Sequence, residues 1–344
     1  MVAATVPVAR PALGKRQLSR EEMPVCWGHR GASAAFPENT LASFEAAMRD
    51  GAEGIESDVH ITADGEIVMF HDPHLDRTTN GSGRIQTQKY HGVLDQLRTN
   101  KSPHQKIPTL RETLALLMRP ENQHVSLNID VKVDNEPERL FTLLKGLVEE
   151  HEEWQTRLAP RLVLGLWHPK YVEPATRLLP RLRRLHIGMS PALARKYFWD
   201  ACDEFSMSFS CLVGSDGERF RKDCRAAGKH IYVWTVNSRS EMIEATKWGA
   251  KGILTDKTKA LLDLRAEMES DWEKVAKETN STRFAWSSFW YSSLANYFLA
   301  SWEAYLLTKA GGVFQVPPPS PPISPPLPPQ AVPHAQGLPT KIAV

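Results

Sequence analysis

Residues 25–59 form a predicted strand–helix–strand unit with the sequence VCWGHRGASAAFPENTLASFEAAMRDGAEGIESDV. The short apolar runs Val25–Gly28 and Gly54–Val59 are typical of buried strands, and Thr40–Asp50 between them has the apolar spacing of a helix. Two strands connected through a helix in this way lie parallel in one sheet. The unit therefore predicts an α/β fold with crossover helices.

The same alternation of strands and helices continues to about residue 265. The nine candidate strands are Val25–Gly28, Gly54–Val59, Ile67–Phe70, Val125–Val131, Leu162–Trp167, Arg184–Gly188, Ser206–Leu212, Ile231–Val236 and Gly252–Leu254. The candidate helices are Thr40–Asp50, Leu110–Met118, Pro137–Glu150, Lys170–Leu179, Ala192–Phe198, Glu218–Ala227 and Arg239–Trp248. Only a short turn precedes Ile67–Phe70, so one of the nine strands is irregular or lies outside the closed sheet, and the pattern does not say which. A span of about 240 residues with this alternation predicts one TIM-type (β/α)8 barrel.

Composition excludes several classes of protein. The chain has 344 residues, of which 42% are hydrophobic and 24% charged, the balance of a soluble protein with a sizeable core. No uninterrupted run of ~18 apolar residues is present, which excludes a polytopic membrane protein. The net charge of +2 provides no electrostatic surface for nucleic acid. The four cysteines are scattered without a C-x-x-C pair, as expected for reduced thiols in a cytosolic setting.

The sequence divides into four parts. Residues 1–22 are basic before Glu21 and have no apolar core of a secretory signal, so we expect a disordered arm rather than a mitochondrial presequence. Residues 23–265 are expected to form the barrel, and residues 266–312 a helical, membrane-associating segment. Residues 313–344 are rich in proline, which predicts an exposed, disordered tail of polyproline type.

Residues 284–307 are rich in aromatic side chains. They contain nine aromatic residues but a single charged residue, Glu303. On a helical wheel most of the aromatic side chains share one face, and Asn296, Glu303 and two serines lie opposite, although the amphipathic pattern is partial. Aromatic rings with polar tips prefer the headgroup boundary of a membrane. We therefore expect an interfacial or re-entrant helix at a membrane surface. A helix packed on the barrel is the alternative, and the polar residues disfavour a spanning helix.

Carboxylates occur in two of the predicted strands. Glu56 and Asp58 are two residues apart, so both side chains point to the same face, and Asp130 occupies an inward position in another strand. Adjacent carboxylates inside a barrel repel each other unless a cation lies between them. Three oxygen ligands without a thiolate favour one Mg²⁺ or Ca²⁺ over zinc. A salt-bridged pair on a solvent face is the alternative interpretation of Glu56 and Asp58.

Histidines and basic residues accompany these carboxylates at strand ends. Histidine as a residue type titrates near neutrality, so His29 and His71 are candidates for an acid–base pair, although either one taken alone is more typical of a structural or metal-bound histidine. Arg30 and Lys132 offer positive charge to a phosphate, with a salt bridge as the alternative role of Arg30. Trp234 ends a strand and lines either the substrate cleft or the core. Together these residues predict an anionic, phosphate-containing substrate.

The order of these motifs resembles the glycerophosphodiester phosphodiesterase family. The matching motifs are Gly28-His29-Arg30-Gly31, Pro37-Glu38-Asn39-Thr40, Glu56-Ser57-Asp58-Val59, Phe70-His71-Asp72-Pro73, Ile107-Pro108-Thr109-Leu110, Asp130-Val131-Lys132, Trp234-Thr235-Val236-Asn237 and Gly252-Ile253-Leu254-Thr255-Asp256. The resemblance covers about residues 24–260 and implies a TIM-type barrel, a divalent cation and two catalytic histidines.

The resemblance also implies a role for each matching residue. The implied roles are acid–base catalysis for His29 and His71, metal binding for Glu56, Asp58 and Asp130, and phosphate binding for Arg30 and Lys132. The family usually has Glu at the position of Asp130, so the shorter carboxylate is expected to contact the metal less directly. His168 and Asn237 are further candidates for the cleft, with a structural role as the alternative for His168.

Within the family, Leu164-Gly165-Leu166-Trp167-His168-Pro169 and the apolar segment after the barrel are similar to the fungal phosphatidylglycerol-specific phospholipase C branch. That similarity implies cleavage of a glycerophospholipid, phosphatidylglycerol, to diacylglycerol and glycerol phosphate. The alternatives are a glycerophosphodiester phosphodiesterase or lysophospholipase D on soluble or lyso substrates, and an inactive membrane-associated binding module. We expect an intracellular, membrane-associated protein at a lipid droplet, the endoplasmic reticulum or the mitochondrial surface. The sequence predicts no particular protein partner.

Overall fold

The structure is a computed structural model and describes residues 18–19, 22–284 and 286–317. The predicted N-terminal arm and proline-rich tail lie almost entirely outside the described residues.

Nine strands form one sheet that closes into a barrel. The strands are β1 (Val25–His29), β2 (Gly54–Ile61), β3 (Ile67–Met69), β4 (Ser126–Val131), β5 (Leu162–Leu166), β6 (Arg183–Gly188), β7 (Glu204–Ser208), β8 (His230–Trp234) and β9 (Gly252–Thr255). β1 pairs in parallel with both β2 and β9, which closes eight parallel strands into a TIM-type barrel. β3 pairs antiparallel to β2 and lies outside the closure, so it is the ninth strand that the pattern left unassigned.

Helices cover the outside of this barrel. They are α1 (Leu41–Asp50), α2 (Leu110–Leu117), α3 (Pro137–Glu149), α4 (Trp154–Arg157), α5 (Val172–Leu178), α6 (Pro191–Leu193), α7 (Phe209–Leu212), α8 (Gly214–Ala226), α9 (Arg239–Lys247), α10 (Thr258–Ala276), α11 (Ser281–Phe284) and α12 (Ser293–Gly311). The predicted strand Ser206–Leu212 was wrong in its second half, because β7 ends at Ser208 and α7 follows. Phe209 leaves the sheet and stacks on Trp248, with 4.7 Å between the ring centroids.

The loop between β1 and α1 is fixed by hydrogen bonds and one glycine. Thr40 and Ser43 form a capping box at the start of α1, and Ser43 Oγ also donates to the carbonyl of Arg30 at 2.9 Å. Gly31 has φ of +82°, and a Cβ there would lie 2.4 Å from Ser43 Oγ. Glycine is therefore required at this turn, which holds His29 and Arg30 at the end of β1.

Apolar side chains fill the interior of the barrel and form the floor of its open end. This interior cluster consists of Trp27, Val163, Leu185, Ile187, Tyr232 and Leu254. A larger apolar cluster packs between the sheet and the surrounding helices. All four cysteines are buried and unpaired.

The C-terminal segment differs from the single helix predicted over residues 284–307. α11 ends at Phe284, a 3-10 turn covers Phe289–Tyr291, and α12 begins at Ser293. Ser288 and Ser292 interrupt the helix because each side chain accepts a hydrogen bond from a backbone N–H that follows it. In the part of the chain that the structure describes, no helix is both long and apolar enough to cross a membrane.

Candidate active site

A cavity of about 100 Å³ opens at the carboxyl-terminal end of the barrel. Its walls are formed by His29, Arg30, Glu56, Asp58, His71, Asp130, Lys132, Trp167, Ile187, Ser206, Trp234 and Leu254. All residues predicted for catalysis, metal binding and phosphate binding line this cavity, together with Trp234. This end of the barrel is where the active sites of TIM-barrel enzymes lie.

Strand register brings the carboxylates together. Asp58 on β2 lies directly beside Asp130 on β4, and Glu56 lies beside His29 on β1. All three carboxylates are buried, and one oxygen from each lies within 4.8 Å of the others. The i, i+2 spacing in β2 therefore produces the inward-facing pair that the sequence predicted.

Asp58 is held ionised by the cations around it. The Lys132 ammonium lies 2.6 Å from Asp58 Oδ1, Arg30 Nε lies 3.4 Å from Oδ2, and Asn39 Nδ2 donates to Oδ2 at 2.7 Å. Burial alone would raise the pKa of Asp58, but the charges of Lys132 and Arg30 hold it well below its usual value. Asp58 is therefore an anion ready to bind a cation.

Nearby cations compensate the charge of Glu56 less fully than that of Asp58. Its Oε2 accepts the backbone N–H of Arg30 at 3.1 Å, and the nearest ring nitrogen of His29 is 4.0 Å away. Burial, followed by repulsion from Asp58 and Asp130, raises its pKa well above the usual value. A divalent cation would remove this repulsion, so the three carboxylates fit a site for a hard metal ion.

Two neighbouring side chains hold Asp130 in place. Trp167 Nε1 donates to its Oδ1 at 2.8 Å, and the Lys132 ammonium lies 2.9 Å from its Oδ2. Burial raises the pKa of Asp130 to about 6, against the opposing charge of Lys132. A carboxylate oxygen has two lone pairs, so both hydrogen bonds are compatible with metal binding.

His29 is oriented by a carboxylate from the last strand. Its Nδ1 lies 2.7 Å from Asp256 Oδ1, which also accepts from Ser33 Oγ at 2.9 Å. Asn237 Nδ2 donates to the other oxygen of Asp256 at 2.6 Å. With Nδ1 used in this way, Nε2 is the nitrogen of His29 available for proton transfer.

His71 is oriented by a chain of ion pairs. Its Nδ1 lies 2.7 Å from Asp72, which pairs with Arg77, and Arg77 pairs in turn with Glu38. Glu38 also pairs with Arg30, at 2.9 Å. Burial lowers the pKa of His71 to about 4, so the imidazole is neutral near pH 7. A neutral imidazole with a fixed Nδ1 is suited to accept a proton at Nε2.

Two tryptophans form an aromatic wall beside these polar groups. The rings of Trp167 and Trp234 meet edge to face with 5.6 Å between their centroids. Trp234 therefore lines the cleft, as one of the two sequence interpretations predicted. The Lys132 ammonium lies 5.8 Å from the centre of the Trp167 ring.

Two predicted cleft residues lie outside the cavity. His168 does not reach the cleft, because its ring is buried under the C-terminal segment and its Nε2 lies 3.0 Å from the carbonyl of Gly312. Asn237 acts one step away from the cavity, through its hydrogen bond to Asp256.

The site also contains four residues for which the sequence predicted no role: Glu38, Asn39, Trp167 and Asp256. Asp256 directly follows β9, and this position at the end of a strand was the sequence feature that could have assigned it to the site. Asn39 lies in the turn before α1. Trp167 was assigned to a strand, and its hydrogen bond to Asp130 depends on tertiary structure.

Comparisons with known proteins identify the family of this chain. Residues 29–260 match the model of the glycerophosphoryl diester phosphodiesterase family. A glycerophosphodiester phosphodiesterase of Caldanaerobacter subterraneus subsp. tengcongensis is 28% identical over 247 residues, which are 69% of this chain and 95% of that protein. Glycerophosphodiester phosphodiesterase 1 of Bos taurus is 42% identical over 110 residues, which are 30% of this chain and 32% of that protein.

Solved structures share the fold. A phosphodiesterase of Oleispira antarctica, in complex with the product sn-glycerol-3-phosphate, has a TM-score of 0.60 and 24% identity over 70% of this chain and 96% of that chain. A glycerophosphodiester phosphodiesterase of Parabacteroides distasonis has a TM-score of 0.59 and 24% identity over 71% of this chain and 97% of that chain. The chain therefore belongs to the glycerophosphoryl diester phosphodiesterase family and is a phosphoric diester hydrolase.

Proposed function

We propose that this phosphodiesterase cleaves phosphatidylglycerol to diacylglycerol and glycerol phosphate, a reaction of the phospholipase C type. The observation that carries the proposal is the meeting of two oriented histidines, Arg30 and Lys132 in one small cavity. Cations that converge on a cavity recognise the phosphate, and the histidines supply acid–base catalysis. The similarity of residues 164–169 to the fungal branch supports phosphatidylglycerol as the lipid.

The mechanism uses a hydroxyl of the substrate as its nucleophile. His71, which is neutral near pH 7, accepts the proton of a headgroup hydroxyl as that oxygen attacks phosphorus. His29, held by Asp256, donates a proton to the departing oxygen of diacylglycerol. Arg30 and Lys132 stabilise the charge on the phosphoryl oxygens. Water then opens the cyclic glycerophosphate.

Glu56, Asp58 and Asp130 would hold one divalent cation, either Mg²⁺ or Ca²⁺. When bound, the cation supplies polarisation of a phosphoryl oxygen. The family is dependent on divalent metal, in agreement with this carboxylate cluster.

The chemistry of the headgroup explains the proposed specificity. Phosphatidylglycerol carries a hydroxyl beside its phosphoester carbon, so the nucleophile is already positioned. Phosphatidylethanolamine and phosphatidylcholine lack such a hydroxyl, and acyl chains block the hydroxyls of their glycerol backbones. The enzyme is therefore expected to spare these two lipids.

A second candidate is hydrolysis of soluble glycerophosphodiesters, with lysophospholipase D activity on lyso substrates. The cavity favours it, because most of its lining side chains are charged or polar and suit a glycerophosphate group better than acyl chains. The relatives named glycerophosphodiester phosphodiesterase and the glycerol phosphate bound in the Oleispira antarctica structure agree with this candidate.

A lipid panel separates the two candidates. Purified protein with Mg²⁺ is given phosphatidylglycerol, a phosphatidylglycerol analogue without the attacking headgroup hydroxyl, phosphatidylcholine and glycerophosphocholine, and the products are identified. Release of diacylglycerol from phosphatidylglycerol alone supports the proposal. Hydrolysis of the deoxy analogue at the normal rate contradicts the internal nucleophile, and turnover restricted to glycerophosphocholine supports the second candidate.

We also propose that the protein works at an intracellular membrane surface, through the aromatic segment 284–307. The exposed aromatic side chains of this segment support the proposal. A lipid droplet, the endoplasmic reticulum and the mitochondrial surface all offer such a surface. Imaging of the tagged full chain against markers of these three membranes tests the location.

A further inference from the structure

The C-terminal helix α12 packs against the chain segments that follow β5, β6 and β7. Asn296 Nδ2 donates to the carbonyl of Ser210, just after β7, at 3.0 Å. The backbone N–H of Met189, directly after β6, donates to Glu303 Oε1 at 2.8 Å. His168, two residues after β5, lies 3.0 Å from the carbonyl of Gly312, just after α12. Three successive strand ends thus hold the helix beside the mouth of the active site.

The face of α12 that packs on the barrel carries no aromatic side chain. Ala295, Glu303 and Leu307 are its buried residues. The carboxylate of Glu303 is the only acidic group in residues 286–317, and it points into the protein. The only charge that this segment exposes is therefore the ammonium of Lys309.

The outward face is aromatic instead. Tyr297, Phe298, Trp302 and Tyr305 are 69%, 61%, 58% and 55% exposed. Leu294 in the first turn of α12 and the preceding residues Trp286, Phe289 and Trp290 continue this surface, and all four are more than half exposed. An apolar surface of this extent marks a site of interaction, because removing such rings from water into an apolar or interfacial environment is strongly favourable.

A phospholipid bilayer is the occupant that fits this surface. Trp and Tyr rings prefer the headgroup region, and the serines between them tolerate water. A surface with one positive charge and no exposed carboxylate is complementary to anionic lipid. Most side chains that line the cavity are charged or polar, so the acyl chains of a lipid substrate are expected to remain outside it.

We propose that the aromatic platform, residues 286–306, lays the mouth of the barrel on the bilayer, so that a phospholipid is cleaved while its acyl chains stay in the membrane. This orientation rests on the proposed lipid substrate, and it adds that the carboxyl-terminal end of the barrel faces the membrane. Glu303 and Asn296 are positioning residues, because they turn the aromatic face outward by binding the loops after β6 and β7.

The orientation is tested with two single-cysteine labels on the full chain. Ala192→Cys places a fluorophore at the catalytic end, after β6, and Lys251→Cys places one at the opposite end, just before β9. Both positions are exposed, and the four native cysteines are buried. Vesicles contain phosphatidylcholine, phosphatidylserine and a nitroxide-labelled lipid, so binding is read without any cleavable phosphatidylglycerol.

We expect the fluorophore at 192 to be quenched at least twofold on vesicle binding and the one at 251 to be unchanged. Quenching at 251, or equal quenching at both positions, overturns the orientation. Failure of the protein to float with vesicles overturns the platform, whatever the lipid panel shows. If binding and orientation hold but phosphatidylglycerol is not cleaved, only the proposed substrate fails.

A pair of variants tests which side chains bind the membrane. Tyr297→Ser with Trp302→Ser is expected to weaken vesicle binding at least ~10-fold, since each ring contributes a large apolar area. Ser301→Ala, on the same outward face, is the matched control and is expected to bind normally. Light scattering tests whether a second copy of the chain covers this surface instead. If the parent protein is a dimer that does not bind vesicles, and the double variant is a monomer, the surface is a dimer interface and the proposal is overturned.

Discussion

Replacement of Asp256 with Asn is the sharpest test of the proposed acid–base machinery. Asp256 accepts every side-chain hydrogen bond that it makes in the structure: Oδ1 from His29 Nδ1 at 2.7 Å and Ser33 Oγ at 2.9 Å, and Oδ2 from Asn237 Nδ2 at 2.6 Å. An asparagine has only one such oxygen. Asn237 cannot turn to compensate, because its own oxygen accepts from Thr255 Oγ1 and the backbone N–H of residue 256.

Both orientations of the new amide damage the site. If the NH₂ group faces His29, it donates to Nδ1 and moves the ring proton to Nε2, and loss of the correct tautomer costs up to ~10⁴-fold in rate. If the NH₂ group faces Asn237, it lies against the Nδ2 amide of that residue, and the two donors without an acceptor cost ~1–3 kcal/mol of stability. In either case the protonated imidazole loses its anionic partner. We therefore expect kcat/KM to fall between ~10²- and ~10⁴-fold.

The assay is kcat/KM for release of glycerol phosphate from glycerophosphocholine at saturating Mg²⁺, or from phosphatidylglycerol if only the lipid is turned over. Ser33→Ala is the matched control, because it removes another donor to the same oxygen and leaves the contact with His29 intact. It is expected to stay within ~10-fold of the parent protein. Thermal unfolding verifies that both variants are folded. A folded Asp256→Asn protein with unchanged kcat/KM would refute the role of this carboxylate in orienting His29.

Two further predictions concern single side chains. His29→Ala and His71→Ala are each expected to lower kcat by ~10²–10⁴-fold without unfolding the barrel, and near-normal turnover of both variants would remove them from the mechanism. Burial raises the pKa of Glu303 from 4.5 to about 8, so the folded protein retains a proton that the unfolded chain has lost. The docking of α12 is therefore expected to weaken as the pH rises from about 5 through 8, whereas Glu303→Gln should remove this dependence. Hydrogen exchange of α12 amides, corrected for intrinsic rates, measures the effect; equal pH dependence in the parent protein and the variant would contradict it.

Most of the barrel was predictable because each strand is short, apolar and bounded by turn residues. The exceptions have physical causes. β3 resembles a barrel strand in sequence, but the turn before it is too short for a crossover helix, so it folds back antiparallel on β2. Phe209 and its neighbours have strand-like composition, but they lie beyond the end of β7 and pack against Trp248.

The candidate site was predictable where local spacing determines geometry. Glu56 and Asp58 share a face because of the two-residue period of a strand. The pairing of His29 with Asp256 joins residues 227 positions apart and depends on closure of the barrel. His168 was left open between a cleft role and a structural role, because no local pattern shows that Gly312 returns to cover it.

The sequence alone did not show which face of the C-terminal segment packs against the barrel. The sequence placed aromatic residues and Glu303 on opposite faces, and the structure retains that arrangement. Only the contacts with Met189 and Ser210 show that the polar face binds the barrel and the aromatic face is exposed.

Turnover by this phosphodiesterase is expected to depend on a divalent cation held by Glu56, Asp58 and Asp130. The most direct measurement treats the protein with chelator, removes the chelator, and titrates Mg²⁺ or Ca²⁺ while release of glycerol phosphate is followed, in parallel with Glu56→Gln. We expect no turnover in metal-free protein, full recovery on addition of the metal, and a much higher metal requirement for the variant. Full turnover by verified metal-free protein would contradict this dependence.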